Sequence, residues 1–244
     1  VLLCNSDIVI KSNSLDKVIE FMEIHSNAGA LGCKILNPDQ TIQTSVNGFP
    51  NLFTVFLHIF QVKKMVPNFK IRQVIGRKWK ILPGNTLREY FRTYDDYNQL
   101  REVDWVTGAF ILARRKTIER VGLLDENFFM YYEDADWCYR MQKEGWKIFY
   151  FPFFEVIHYI GKSSGKFNPK IFIERYRSMY YYFSKYKGER VIPLLHLILC
   201  SGLILRSIGI GIMWIFRKDR ELLKERLYAY SSVMRGFKIE NTSH

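Results

Sequence analysis

The hydrophobic pattern along the chain alternates between two periods, and the changes of period mark its elements. Val1-Leu2-Leu3-Cys4 is a short apolar run that reads as a buried strand, and it delivers the polar triplet Asn5-Ser6-Asp7 at its end. Leu15, Val18, Ile19 and Met22 then recur at helical spacing behind Ser14, a good N-cap, and Asn27 to Gly29 would end that helix. Ala30 to Leu36 predicts another strand, Asn37-Pro38-Asp39 a turn, and Thr41-Ile42-Gln43-Thr44 a short strand. Strand, helix, strand is the order of a βαβ unit.

From Phe49 to about Arg101 the pattern weakens. Leu52 to Val62 is an apolar run too short to span a bilayer, and Lys63-Lys64 with a mixed basic and aromatic stretch follows it. A surface-lying helix or a variable excursion both fit. Strong patterning resumes at Val103 to Leu112, where Gly108-Ala109 allows a close approach of the backbone to a ligand or a neighbouring strand. Lys116 to Val121 predicts a short helix stopped by Gly122. The helix bearing the acidic cluster near residue 134 should run to about Glu144, with Gly145 as its stop. Trp146 to Phe151 reads as a strand broken by Pro152, and Val156-Ile157-His158 as a second strand.

The stretch Tyr131 to Arg140 carries the densest chemistry. Glu133, Asp134 and Asp136 fall within four positions, and such carboxylates repel unless a cation, a helix N-terminus or a shared proton relieves them. Two readings stay open from the residues alone. The acids can serve only as the first turn of a helix, with Asp136 and Arg140 as an i,i+4 pair. Alternatively, one of them is a general base in a cleft.

Charge separates the chain into two parts. The net charge is +12, yet the stretch through Gly161 holds 20 Lys+Arg against 18 Asp+Glu, whereas Lys162 onward holds 16 against 6. The basic excess therefore belongs to the C-terminal third, where a polyanion such as an anionic membrane surface is the expected partner. There Asn168-Pro169 opens a long helix that Gly188 stops, and the glycine-bearing basic loop Gly161 to Gly165 before it suits an anionic group. Val191 to Phe216 is long enough to span a bilayer, but His196 and Arg206 interrupt it, so it reads as a membrane-embedded or interfacial segment. Arg217, Lys218, Arg220, Lys224 and Arg226 give it a basic flank. Nucleic acid is not expected, because base stacking has no use for the overlapping apolar run. The four cysteines have no zinc or disulfide spacing and read as buried reduced thiols.

Asn5-Ser6-Asp7, Val106-Thr107-Gly108-Ala109, Leu124 to Phe129, Glu133-Asp134-Ala135-Asp136 and Pro152 to His158 occur in the order and spacing of the family 2 glycosyltransferases. The set most resembles the rhamnosyltransferase-type enzymes of bacterial surface polysaccharide assembly, over about residues 1 to 190. The resemblance implies an α/β GT-A fold of the nucleotide-diphospho-sugar transferases. Residues 1–165 would be its C-terminal part and 166–244 a helical, membrane-associated tail. The chain opens on an apolar run without Met or leader, so nucleotide-binding units are expected to precede it, and the fragment alone is expected to be inactive.

The resemblance also implies roles. Asn5 and Asp7 stand where the family has an Asp-x-Asp motif, and with His158 they would hold a divalent metal, Mn²⁺ or Mg²⁺, on the donor diphosphate. Asp134 would be the base and Glu133 its neighbour. Trp105, Thr107, Gly108 and Ala109 would line the sugar, while Asp136 and Arg140 would support the helix. The implied activity is inverting, metal-dependent transfer of a single sugar, with rhamnose the candidate, from a nucleotide sugar to a lipid-linked glycan. It would take place at the cytoplasmic face of the inner or plasma membrane. The Gln-x-x-Arg-Trp motif of processive synthases is absent. The alternative reading is a non-catalytic, membrane-associated glycan-binding module that kept the fold.

Overall fold

The structure is a computed structural model that describes residues 1–11, 15–65, 90, 97–159, 167–216 and 220–237. Ser14, the loop Gly161 to Gly165 and Arg217-Lys218 lie outside the described residues. The described chain forms two compact units. The first comprises Val1–Phe49, Lys63–Asp125 and Glu133–Lys162; the second comprises Pro50–Val62, Glu126–Tyr132 and Ser163–His244.

The first unit is a mixed α/β layer structure. Its strands are β1 (Leu2–Cys4), β2 (Ile8–Ile10), β3 (Ala28–Leu36), β4 (Ile42–Gln43), β5 (Val46–Asn47), β6 (Arg101–Val103), β7 (Trp105–Val106), β8 (Phe110–Ala113) and β9 (Lys147–His158). Helix α1 (Leu15–Ile24) joins β2 to β3. The main sheet runs β1-β8-β3-β9-β2, with β4 beside β3 and β6 beside β9, and among the described residues only β3 and β9 pair in parallel. β3 is the buried centre: eight of its nine residues are inaccessible, which is why it reads as a continuous apolar run. Side chains alternate across it. Leu31, Cys33 and Ile35 face Val18, Phe21 and Met22 of α1, while Ala30 faces the opposite layer of Trp137, Cys138 and Met141.

That opposite layer is built on α5 (Glu133–Lys143), preceded by α4 (Arg115–Val121). The expected stops are in place, with Gly122 at φ 78° and Gly145 at φ 83°. Gly32 of β3 is required by packing, because a Cβ there would stand 2.6 Å from Cβ of Val106. The small β5–β7 ladder thus lies directly on the sheet, and it carries the loop that begins at Thr107.

The second unit is helical. It contains α2 (Leu52–Ile59), α6 (Pro169–Lys187), a 3₁₀ turn at Glu189–Val191, α7 (Ile192–Phe216) and α8 (Arg220–Met234). α3 (Val62–Met65) is a single turn at the junction of the units in sequence. Asn168 caps α6 as its residue type predicts, its Oδ1 accepting from the N–H groups of Lys170 (3.0 Å) and Ile171 (3.2 Å).

Three expectations are corrected. β1 forms but is not buried: it pairs with β8 along one side as an edge strand, and Val1 and Leu2 are exposed. Cys4 is consequently exposed and Cys200 partly so; only Cys33 and Cys138 are buried thiols, and burial pushes Cys138 up to about 12. Pro152 does not divide β9. On one side β6 pairs only through Tyr150 and β2 starts at Val156, so no ladder bond is asked of the proline nitrogen. On the other side the register against β3 jumps from Cys33–Phe151 to Lys34–Glu155, a bulge that absorbs the break.

Candidate active site

The residues predicted to carry chemistry gather at one end of the first unit. β1 and β8 end together: Cys4 lies opposite Phe110, and the N–H of Asn5 donates to the carbonyl of Ala109 (3.1 Å). The loop Thr107 to Ala109 is fixed from the other side by the Thr107 N–H on the Ser45 carbonyl (3.0 Å). Gly108, at the centre of that loop, donates its N–H to Oδ2 of Asp134 (2.9 Å).

The position of Asp134 follows from the helix that bears it. Asp134, Cys138 and Met141 lie at i, i+4 and i+7, on the stripe that α5 turns toward the sheet. A carboxylate thus occupies the first place of a core-facing stripe. It is held by Gly108 and by the N–H of Ala135 on Oδ1 (2.8 Å), at a helix N-terminus where backbone donors favour an acceptor. Burial and then the neighbouring charge of Glu133 nevertheless push its pKa up from the ordinary carboxylate range to about 7. Burial raises Glu133 as well, and its buried Oε2 has no hydrogen-bond partner among the described residues. Both carboxylates look over Gly108: a Cβ on that glycine would lie 3.8 Å from Oδ2 of Asp134 and 4.0 Å from Oε1 of Glu133, so the missing side chain leaves room before them.

Asp136 and Arg140 face elsewhere. Asp136 is wholly buried, and Nε of Arg140 bonds its Oδ2 at 2.8 Å. The other guanidinium nitrogens of Arg140 donate to the carbonyls of Val121 and Leu123, and Nε1 of Trp137 donates to that of Gly122 (2.9 Å). Trp105 is half-buried, with its indole N–H on the Gly48 carbonyl (3.0 Å). Ala109 packs its methyl into the core facing α1, so only its backbone reaches toward Asn5.

Asn5, Asp7 and His158 converge although 153 positions separate Asn5 from His158. β2 and β9 pair Ile8 with His158, and the N–H of Tyr159 donates to the Asp7 carbonyl (2.9 Å). Nε2 of the buried His158 then stands 3.1 Å from Oδ1 of Asp7 and 3.3 Å from Nδ2 of Asn5. Among the described residues no three His, Cys, Asp or Glu side chains come together as a metal-binding group. The pair nevertheless fits a divalent ion. Two ligand atoms each about 2.1 Å from a shared ion, at right angles, stand about 3 Å apart. Further oxygens would come from the Asn5 side chain and water, as is usual for Mg²⁺ and Mn²⁺.

Two features were not expected from the sequence. The chain enters α5 through two successive left-handed residues, Tyr131 (φ 63°) and Tyr132 (φ 70°), each costing about 1–2 kcal/mol for a side chain with a Cβ. Strain of this kind collects at functional turns, and no residue signal in Tyr-Tyr announces it. The other is Gln43 of β4, whose Oε1 lies 3.1 Å from Nδ1 of His158. A polar residue on a short strand beside an apolar neighbour was its only trace.

No family model matches the chain. Curated relatives do. The N-acetylglucosaminyl-diphospho-decaprenol L-rhamnosyltransferase of Mycobacterium tuberculosis, recorded in two strains, is 31% identical over 166 residues, 68% of this chain and 48% of the relative. Rhamnosyltransferase WbbL of Escherichia coli (strain K12) is 26% identical over 187 residues, 76% of this chain and 61% of the relative. Low-salt glycan biosynthesis hexosyltransferase Agl10 of Haloferax volcanii is 34% identical over 61 residues, 25% of this chain and 20% of the relative. The chain spans about half the length of the mycobacterial relatives it matches.

Proposed function

As a chain of the family 2, rhamnosyltransferase-like glycosyltransferases, this protein, we propose, carries the acceptor side and part of the donor side of a GT-A enzyme that transfers one sugar to a lipid-linked glycan. Residues 1–165 do the chemistry and the helical region 166–244 serves the membrane. The observation that supports this reading most is Asp134: a buried carboxylate with a pKa near 7, fixed by Gly108, whose lack of a side chain leaves the carboxylate uncovered on that side. A general base works best when its pKa lies near the working pH.

In this reading the acceptor hydroxyl oxygen attacks the anomeric carbon as the bond from that carbon to the diphosphate oxygen breaks, with inversion. Asp134 takes the hydroxyl proton. Glu133 holds Asp134 high and binds the acceptor, and Gly108 keeps the approach clear. Asp7 and His158, with Asn5, would hold the metal, whose charge stabilises the departing diphosphate. Rhamnose as the sugar and an N-acetylglucosaminyl-diphospho-polyprenol as the acceptor follow from the mycobacterial relative's name. The test is transfer from a nucleotide-rhamnose to that acceptor by the full-length protein and its Asp134→Asn variant. Binding of the glycan by both proteins with transfer by neither would favour the non-catalytic module.

The metal assignment gives its own expectation. Asp7→Ala should weaken binding of Mn²⁺ to the full-length protein by about 10-fold or more, a typical loss for a disturbed metal site. Equal Mn²⁺ affinity in calorimetric titration would remove Asp7 from the site.

The helical region supports attachment along a membrane. The stretch Glu189–Ile212 is long and apolar enough to cross one, and in its 18-residue apolar window, of mean hydropathy 2.0, 22% is buried. Within the second unit, however, α7 leans on α2. A Cβ on Gly202 would meet Cγ1 of Ile59 at 2.4 Å, and Nη2 of Arg206 donates to the Ile59 carbonyl (2.7 Å) at the end of α2. Leu194, Leu197, Ile204, Leu205, Ile208 and Ile212 form the outward stripe, about 27 Å long at 1.5 Å per residue. Such a helix lies in the interface on its apolar side, with Arg220 and Lys224 of α8 exposed to anionic headgroups. The double change Leu197→Glu and Ile208→Glu should reduce co-sedimentation with anionic vesicles at least 10-fold, since each buried Leu or Ile is worth about 1.5–3 kcal/mol. Unaltered binding would exclude the stripe as the contact.

A further inference from the structure

We propose that Gln43 sets the tautomer of His158, so that the imidazole presents the lone pair of Nε2 to Asp7 instead of an N–H; the use of that lone pair in transfer rests on the metal reading above. Gln43 lies two strands from His158 but on the same face of the sheet. It sits opposite Ile35 of β3, Ile35 sits opposite Val156 of β9, and His158 is two residues beyond Val156. Its side chain spans that distance to place Oε1 3.1 Å from Nδ1 of His158.

One tautomer accounts for both amide contacts of the ring. An amide oxygen only accepts, so the contact requires a proton on Nδ1, and a neutral imidazole has no second proton for Nε2. Asn5 agrees from the other side: its Nδ2 is a donor 3.3 Å from Nε2 and needs a lone pair there. The two amides, one on β4 and one just after β1, are both satisfied by this tautomer. Its consequence falls on Asp7, whose Oδ1 faces Nε2 at 3.1 Å, lone pair against lone pair. That contact is unfavourable unless a cation lies between the two atoms.

Without Gln43 the ring would settle the other way. Nε2–H would donate to Asp7, satisfying both groups and closing the pair to a cation. Gln43 keeps the pair open, and being uncharged it does so without adding another carboxylate to the site. Partners of this kind, which orient a ligating histidine through its other nitrogen, typically change metal affinity by about 10–100-fold. Gln43 is a positioning residue, acting only through His158.

The experiment uses the full-length protein labelled with ¹⁵N-histidine and free of metal, at about pH 8.5. Long-range proton–nitrogen NMR reads the tautomer, and a His158→Asn variant identifies the signal. Wild type should carry the proton on Nδ1, Gln43→Leu should move it to Nε2, and Gln43→Glu, whose oxygens only accept, should return it to Nδ1. Titration with Mn²⁺ alone should show about a 10–100-fold weaker affinity for Gln43→Leu and none of that loss for Gln43→Glu. A wild-type ring protonated on Nε2 overturns the proposal before any variant is made, and so does Nδ1–H persisting in Gln43→Leu. Failure of the metal reading has a different signature: Asp7→Ala would bind Mn²⁺ as wild type does, while the Gln43-dependent tautomer shift would remain.

Discussion

Asp134→Asn in the full-length protein is expected to lower sugar transfer by about 10²–10⁴-fold, the usual contribution of a positioned base, with donor affinity nearly unchanged. The amide keeps an oxygen for the Gly108 N–H and so leaves the loop in place, but it cannot take a proton. Wild-type activity should rise with pH through about 7, the value to which burial and the Glu133 charge push this acid, and the variant should lose that limb. Stability should respond in the opposite sense. The folded protein holds this proton more tightly than the unfolded chain, whose carboxyl has the ordinary value of 3.8. The proton's contribution is therefore complete below pH 3.8 and is lost as pH rises through about 7. At pH 8 the wild type bears a buried charge that Asp134→Asn lacks, so the variant should melt at a higher temperature while being nearly inactive. Rate–pH profiles and melting curves at pH 5 and 8 check both halves. A variant that transfers sugar normally would end the assignment of the base.

The elements of the sheet were legible because their burial is one-dimensional. A strand enclosed on both faces, such as β3, has to be apolar throughout, and a core-facing helix such as α5 has to repeat near 3.6. The acidic cluster was visible for the same reason. Asp134 takes the position in α5 where the stripe of Cys138 and Met141 calls for an apolar residue, whereas Asp136 comes with an arginine four residues on. The rest depended on neighbours distant in sequence. Whether Val1 to Cys4 is buried is decided by what lies beside it, and whether Pro152 ends a strand is decided by where β6 stops and β2 begins. Gln43 shows this most sharply. Its contact with His158 crosses 115 positions and depends on register across three strands, which no local pattern encodes.

Arg140→Met is expected to lower stability by about 3–5 kcal/mol, the range for removing one partner of a buried ion pair. Asp136 is fully inaccessible and takes Nε of Arg140 at 2.8 Å, so the methionine leaves its carboxylate in the core without that cation. The same guanidinium also holds the carbonyls of Val121 and Leu123, and the Trp137 indole takes Gly122 between them. Three consecutive carbonyls at the end of α4 are thus tied to the second turn of α5, the helix whose first turn carries Asp134. Arg140→Lys should recover only part of the loss, because an ammonium cannot reproduce a fork shared among a carboxylate and two carbonyls. Adding Asp136→Leu to Arg140→Met should restore much of the stability, since the buried charge then disappears with its partner. Melting temperatures of the wild type, Arg140→Met, Asp136→Leu and the double variant form the cycle that isolates the pair. The activity of Asp136→Asn per folded molecule separates support from chemistry. Transfer close to wild type would leave Asp134 alone as the base, whereas a loss equal to that of Asp134→Asn would mean that the carboxylates act as one unit.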